Sequence, residues 1–459
     1  MSGFLGDLPR LFPRPEQTIA GIGRMLRQGE VSCVDILNAC LEQVDDWESK
    51  IHAWVVLDRE GAMAQARALD EELRAGKDRG PLHGIPIGVK DIFDVKGFPT
   101  ACGARRWADR VVSTDAHPVS PLRSAGAVIL GKTVTTPYAW IDPPSTRNPW
   151  NLDRSPGGSS SGSAAAVASG MCFAALGSQT GGSITRPASF CGVAGMKPSR
   201  AIASADPHEH VFPLAPSLDH VGFLARGTDD LRIVFDAMRG YYLSKIEGPK
   251  PEVGFRFERA RQGPRRFARL RGFFDRRADP AVRAALDRVV VALEAAGAEV
   301  RDVEDPVDFE QILVDHRRVM ASEAAFVHAE DFQSHPDDYP PRISALIEEG
   351  RSVRAPDYIG TTRGLAHDRI PFTFLFGNGE VDAILTPATV GTATDPSTTG
   401  DPAFNSPWSY TGLPTVSFPI GLAADGLPLA IQLVGRDECD DDLLDVAEWC
   451  EDAIRTSQF

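Results

Sequence analysis

Short apolar runs bounded by glycine or proline alternate along the chain with longer segments of helical periodicity. The apolar runs are typical of buried strands and lie at 84–93, 127–130, 299–303, 415–419 and 429–434. The helical segments begin near Ser32, Asp58, Asp279 and Asp440. Because a strand that is apolar at successive positions must be covered on both faces, this pattern predicts an α/β fold. We expect a single large layered body in which helices cover both faces of a central β-sheet.

The length of 459 residues would allow more than one domain, but the composition marks no boundary. No proline- or serine-rich linker, low-complexity tract or internal repeat divides the chain. We therefore predict a single domain over 1–459, with a mainly helical N-terminal segment at 1–75.

Acidic residues outnumber basic ones, 63 against 48, which gives a formal net charge of -15. A nucleic-acid groove draws its affinity from clustered cations, so this balance argues against a nucleic-acid partner. No stretch reaches the ~18 apolar residues of a membrane span, and Asp7 and Pro9 interrupt any N-terminal signal peptide. We expect a cytoplasmic protein that does not bind membranes.

The seven cysteines are scattered without a CxxC pair, and the ten histidines show no metal-ligand spacing. An odd number of isolated thiols favours reduced cysteines over a disulfide framework or a zinc site. The sequence thus predicts neither a metal nor another cofactor.

The segment 126–133 formally matches GxxxxGK[ST], the phosphate-binding loop. Such a loop needs a flexible backbone that curls round an anion and then opens a helix. Here the variable positions are Ala-Val-Ile-Leu, which favour a strand, and Val-Thr-Thr-Pro follows. We therefore interpret the match as coincidental.

The segment 158–162 formally matches GxSxG, the nucleophile elbow, which would make Ser160 the nucleophile. The elbow needs a strand that runs into the motif, whereas 147–156 has the composition of a loop. Seven histidines follow in the sequence and could supply a base. The elbow mechanism therefore remains an alternative.

Two glycine/serine loops follow a lysine that ends a predicted strand. Lys90 lies in the run 84–93, at or near the end of the predicted strand. The segment 157–163 reads Gly-Gly-Ser-Ser-Ser-Gly-Ser, and Thr180-Gly-Gly-Ser183 comes later. A serine hydroxyl needs a base within hydrogen-bonding reach, and a lysine can serve only when it is neutral. Burial without a carboxylate partner lowers the pKa of a lysine, so this combination is compatible with serine nucleophilic catalysis.

In these motifs the sequence resembles the amidase signature family, densely over 81–199 and more sparsely through 216–219, 382–387 and 400–436. The resemblance makes 76–200 the catalytic signature region and implies a central mixed β-sheet. It also implies Lys90 as base, Ser159 as proton relay after a cis peptide bond from Gly158, and Ser183 as the nucleophile that forms an acyl-enzyme.

The backbone N–H groups of Thr180, Gly181, Gly182 and Ser183 are the candidate oxyanion hole, since the glycines permit close approach of a substrate. Many members of the family have Asp where this chain has Gln179, and Arg where it has Thr185. The Gln-Thr-Gly-Gly-Ser-x-x-Arg-Pro pattern is similar to that of small-amide hydrolases.

We predict an amidase for a small carboxamide, aryl amide, or urea- or carbamate-like substrate. A homodimer is one assembly that is compatible with this prediction. The predicted substrate-binding residues are Tyr138, Trp140, Ile141 and Met320. Two alternatives remain open, an ammonia-generating A-type subunit of an amidotransferase complex and a catalytically idle scaffold.

Overall fold

Eleven strands among the described residues form one continuous sheet. The computed structural model describes residues 9–203, 210–244, 264–377 and 379–457. The strands are β1 (Trp54–Leu57), β2 (Pro86–Lys90), β3 (Val128–Thr133), β4 (Ala174–Gln179), β5 (Ala194–Lys197), β6 (His220–Ala225), β7 (Arg266–Leu270), β8 (Glu299–Val303), β9 (Ala383–Pro387), β10 (Thr415–Leu422) and β11 (Pro428–Val434). Their spatial order is β1-β3-β2-β4-β6-β5-β10-β11-β9-β7-β8.

The sheet is mixed. Strand β2 runs parallel to β3 and β4, and β7 runs parallel to β8 and β9, whereas the six other pairings are antiparallel. Every residue of β2, β3, β4, β6 and β11 is buried. Because successive side chains point to opposite faces, both faces of the central strands are covered. The predicted α/β architecture is confirmed.

The α-helices of the described residues are α1 (Ile19–Gln28), α2 (Cys33–Ile51), α3 (Arg59–Arg74), α4 (Val119–Ser124), α5 (Ser161–Ala168), α6 (Thr185–Cys191), α7 (Arg200–Ala203), α8 (Thr228–Ser244), α9 (Gly272–Arg277), α10 (Pro280–Ala295), α11 (Phe309–Val327), α12 (Ala329–Ser334), α13 (Pro341–Ser352), α14 (Ala355–His367), α15 (Ile370–Phe376), α16 (Ser406–Thr411) and α17 (Asp440–Thr456). None of them is long and apolar enough to cross a membrane.

Local sequence signals place several of these elements. Ser32 caps α2, since its hydroxyl accepts a hydrogen bond from the N–H of Asp35 at 3.0 Å. Pro280 opens α10 at the position where proline loses no helical hydrogen bond. The edge strand β1 follows α2 and was not predicted from the sequence, because four residues are too few to show the alternation of apolar and polar residues in a strand.

The GxxxxGK[ST] match lies in β3, and its lysine is part of the core. Lys132 and Asp91 are both fully buried, and Lys132 Nζ donates to Asp91 Oδ1 at 2.9 Å. The same ammonium donates to the carbonyl of Pro99 and to the hydroxyl of Thr100, each at 2.9 Å. Three acceptors compensate the cost of burying this ammonium group, so the segment is structural.

Replacement Asp91→Asn removes one charge of this pair and leaves the ammonium of Lys132 without a counter-ion. We expect the free energy of unfolding to fall by about 3–5 kcal/mol, measured by chemical denaturation. The matched control is Asp357→Asn, which breaks the exposed pair with Arg354. This control should leave the unfolding curve almost unchanged, and equal losses in the two variants would contradict a structural role for the buried pair.

Candidate active site

A cavity of about 200 Å³ lies between the loop 180–183 and one face of α11. Apolar side chains form about half of its lining, and polar, charged or glycine residues form the rest. The apolar lining residues are Ala139, Trp140, Ile141, Leu214, Leu313, Met320, Pro402 and Ala403, and the others are Thr180, Gly181, Gly182, Ser183, Arg186, His316, Arg317, Asp401 and Ser406. A cavity of this size and lining suits a small, partly apolar molecule.

Lys90 is fully buried at the end of β2 and does not line the cavity. Its Nζ lies 2.7 Å from Ser159 Oγ and 2.8 Å from Ser178 Oγ. Burial lowers the pKa of Lys90 to about 7, while the charge of Asp219 opposes this shift. Ser178, which sequence reasoning missed, thus helps to hold an amine that is readily neutral.

Ser159 is fully buried, and the backbone of the residue that follows it contacts that of Ser183. The N–H of Ser160, the next residue, donates to the carbonyl of Ser183 at 3.3 Å. The peptide bond between Gly158 and Ser159 is cis. On the other side, Arg186 Nη2 donates to the carbonyl of Gly158 at 2.8 Å. Two glycine/serine loops that are distant in sequence are therefore joined.

The loop 180–183 has its carbonyl groups bound and its four N–H groups unbound. The carbonyl of Thr180 accepts from His316 Nε2 at 2.9 Å, that of Gly181 from Ser409 Oγ at 2.9 Å, and that of Gly182 from the N–H of Arg186 at 2.9 Å. Within the described residues, none of the four predicted donors, the N–H groups of Thr180, Gly181, Gly182 and Ser183, donates to an acceptor. They lie along the cavity wall and could stabilise a developing negative charge.

Two side chains fix the ends of this loop. Gln179 Oε1 accepts from the N–H groups of Ile184 and Thr185, both at 3.0 Å, and so satisfies the first turn of α6. Asp219 accepts from the hydroxyl of Thr180 and from two backbone N–H groups. Burial raises the pKa of Asp219 to about 7, and these hydrogen bonds oppose the rise. Gln179 and Asp219 thus hold the two ends of the loop, Gln179 through a neutral amide oxygen and Asp219 through its carboxyl group.

Three of the four predicted substrate-binding residues, Trp140, Ile141 and Met320, line the cavity, and Tyr138 does not. The side chain of Tyr138 is buried and stacks on Tyr339, with ring centroids 4.4 Å apart. Its backbone has φ 52, a left-handed conformation that directs the chain differently from a strand or helix. Tyr138 thus packs behind the wall that its neighbours form.

The structure argues against the elbow alternative. No described strand runs into Ser160, since β3 ends at Thr133 and α5 begins directly after this serine. The hydroxyl of Ser160 hydrogen-bonds the backbone of Ser178 at 3.3 Å rather than a histidine. One of the seven downstream histidines, His208, lies outside the described residues. The hydroxyl of Ser160 is accounted for by the local backbone.

His316 contacts the loop 180–183 and was not among the predicted site residues. It lies on α11, lines the cavity and is almost completely buried. Only the folded chain brings it to the loop 180–183, and no sequence motif marks it. Across the described ranges, no group of three or more His, Cys, Asp or Glu residues could hold a metal ion.

Comparison with known proteins gives a consistent result. The model of a family described as Amidase matches residues 35–444. The chain is 32% identical to the A-type subunit of the glutamyl-tRNA(Gln) amidotransferase of Trichormus variabilis, over 94% of this chain and 96% of that protein. It is 33% identical to an amidase of Pseudomonas putida, over 89% of this chain and 90% of that protein. A crystal structure of an amidase matches with a TM-score of 0.83 and 31% identity, covering 95% of this chain and 99% of the other.

The two glycines of the loop should differ in their tolerance of a side chain. A Cβ at Gly182 would lie 2.5 Å from Asn405 Oδ1, whereas a Cβ at Gly181 would have its nearest neighbour, Ser406 Oγ, at 3.3 Å. We expect Gly182→Ala to lower the free energy of unfolding by about 1–3 kcal/mol through overpacking. Gly181→Ala is the matched control and should cost clearly less. Thermal and chemical denaturation test this difference, which the reverse order would refute.

Proposed function

The chain belongs to the amidase family and hydrolyses carbon–nitrogen amide bonds, and from this premise we propose that it cleaves small amides through an acyl-enzyme on Ser183. The family resemblance seen in the sequence is confirmed. The observation that carries the proposal is the 2.7 Å contact between Lys90 Nζ and Ser159 Oγ, both fully buried. This contact gives a neutral amine direct access to a hydroxyl proton.

In the proposed mechanism, Lys90 Nζ accepts the proton of Ser159, and Ser159 Oγ accepts that of Ser183. Ser183 Oγ attacks the amide carbonyl carbon, and the proton returns through Ser159 to the leaving nitrogen as the carbon–nitrogen bond breaks. A water molecule then attacks the carbonyl carbon of the acyl-enzyme and gives up its proton through Ser159 to Lys90. The proton returns to Ser183 Oγ as the acyl–oxygen bond breaks, which releases the acid. The sequence of steps needs no group beyond these three side chains and water.

The oxyanion of each tetrahedral intermediate is placed against the N–H groups of Gly181, Gly182 and Ser183. Such preorganised donors contribute about 3–4 kcal/mol each to transition-state stabilisation. Arg186 adds a buried positive charge at the cavity. Burial lowers the pKa of Arg186 only to about 10, so its guanidinium stays charged at neutral pH and favours a developing negative charge.

The cavity supports a small substrate. Its volume of about 200 Å³ and the apolar part of its wall, which includes Trp140, Ile141 and Met320, fit a short aliphatic or aryl acyl group. A carboxamide or an aryl amide satisfies both conditions, and a urea or carbamate of similar size also fits.

A second candidate function is generation of ammonia as the A-type subunit of an amidotransferase. The observation that favours it is the 32% identity to an amidotransferase subunit over nearly the full length of both chains. The similar identity to an amidase shows that identity alone does not separate the two. The second candidate requires hydrolysis of L-glutamine and stable association with a second protein, whereas the first requires neither.

The three proposed catalytic groups should all be necessary for hydrolysis. We expect Ser183→Ala, Ser159→Ala and Lys90→Ala each to reduce kcat by at least ~10³-fold, because each interrupts the same proton path. The assay measures ammonia or amine release from acetamide, benzamide, acetanilide, phenylurea and L-glutamine.

Ser160→Ala is the control for these variants, since its backbone N–H is unchanged, and it should keep most of the activity. Activity that survives in the Ser183 variant but is lost in the Ser160 variant would refute the proposal. Hydrolysis of L-glutamine alone, by a chain that co-purifies with a second protein, would favour the second candidate.

Activity should rise with pH through about 7. Only neutral Lys90 can accept a proton, and its pKa is lowered to about 7, so the active fraction grows as the pH increases past this value. The measurement is kcat/KM for the best amide between pH 5 and 9, with folding checked at each pH. A flat profile over this range would contradict the role of Lys90.

A further inference from the structure

One side chain from the helical layer contacts the proposed oxyanion loop directly. His316 lies on α11, 136 residues beyond Thr180, and its Nε2 lies 2.9 Å from the carbonyl oxygen of Thr180. The imidazole also faces Gly181, because a Cβ built on this glycine would lie 3.6 Å from His316 Cε1. We propose that His316 is a positioning residue that aims the N–H of Gly181 at the oxyanion. This inference rests on the proposed function.

The peptide unit is planar, so the direction of its carbonyl group fixes that of its N–H group. In a trans peptide the C=O of Thr180 and the N–H of Gly181 point in opposite directions within one plane. A donor that holds the carbonyl oxygen of Thr180 therefore also sets the direction of the next N–H group. Because the N–H of Gly181 makes no hydrogen bond to the described residues, the carbonyl side is where its direction is set.

The neighbouring peptide units show the same arrangement. Ser409 Oγ holds the carbonyl of Gly181, and the backbone N–H of Arg186 holds that of Gly182. Ser409 lies on α16, which packs against α11. Two adjacent helices thus supply the side chains that orient two successive peptide units of the loop.

The imidazole is suited to this role as a neutral donor. A carbonyl oxygen can only accept, so His316 Nε2 must carry the hydrogen and Nδ1 is the unprotonated nitrogen. Burial lowers the pKa of His316 to about 4, and the charge of Arg317 acts in the same direction. His316 therefore remains a neutral donor across the pH range in which Lys90 titrates.

The test compares three variants of His316 that differ in reach. Gln can place its amide nitrogen where Nε2 stands, Asn ends one methylene short, and Leu has no donor. We expect His316→Leu and His316→Asn to reduce kcat roughly ten- to a hundredfold with KM changed less than about threefold, as for a misdirected oxyanion donor. His316→Gln should restore most of kcat.

The readouts are kcat and KM for the best amide of the panel, the rate of covalent labelling by a fluorophosphonate probe, and the thermal midpoint. His83→Leu is the matched control, because His83 is also buried and its Nε2 lies 3.0 Å from a backbone carbonyl, that of Leu69, outside the cavity. It should lower the thermal midpoint while leaving kcat unchanged.

Unchanged kcat and labelling rate in His316→Leu, or equal losses in the Gln and Leu variants, would overturn the inference while the proposed function stands. If the parent chain is not labelled at Ser183 and Ser183→Ala keeps its activity, the proposed function itself fails. The two failures are therefore distinguishable.

Discussion

The rest of the site depends on one amine that is buried without a carboxylate in hydrogen-bonding contact. Lys90 Nζ contacts two serine hydroxyls, and burial favours its neutral form. Such an amine stays neutral only if nearby carboxylates are engaged elsewhere. Asp91, the next residue, is bound by Lys132, and Asp219 is bound by Thr180 and two backbone N–H groups. The strand geometry supports this separation, because Lys90 and its neighbour point to opposite faces of the sheet.

The second constraint is the orientation of the loop 180–183. Preorganised N–H groups stabilise a charge without reorganisation only if their peptide planes are held in advance. Here the carbonyl side of each plane is bound by a group that is not part of the loop, from α6, α11 or α16. Because each peptide plane is held through its carbonyl oxygen, its N–H group points the other way and stays free.

Helix α11 contacts both the cavity and the loop 180–183. Helix α11 supplies both His316, which contacts the loop, and Met320, which lines the cavity one turn further along. Residues four apart lie on the same face of a helix, so both side chains reach the cavity. A change in this helix would thus affect the shape of the cavity and the orientation of the free N–H groups of the loop together.

The sequence by itself determined the features that are set by local physics. A capping serine, a proline at the first helical turn and a short apolar run that contains Lys90 are each encoded within a few residues, and the structure contains all of them. The two glycine/serine loops were also evident in the sequence, but only Gly157 among their glycines has the positive φ, 78, that gives glycine a local conformational reason. Only the tertiary structure decided the partners. The strand order is one such feature. The contact of Ser178 with Lys90 joins residues 88 positions apart, and the contact of His316 with the loop joins residues 136 positions apart. Tyr138 does not line the cavity, and its ring packs on Tyr339. Contacts at such separations depend on how whole layers pack, which no local pattern records.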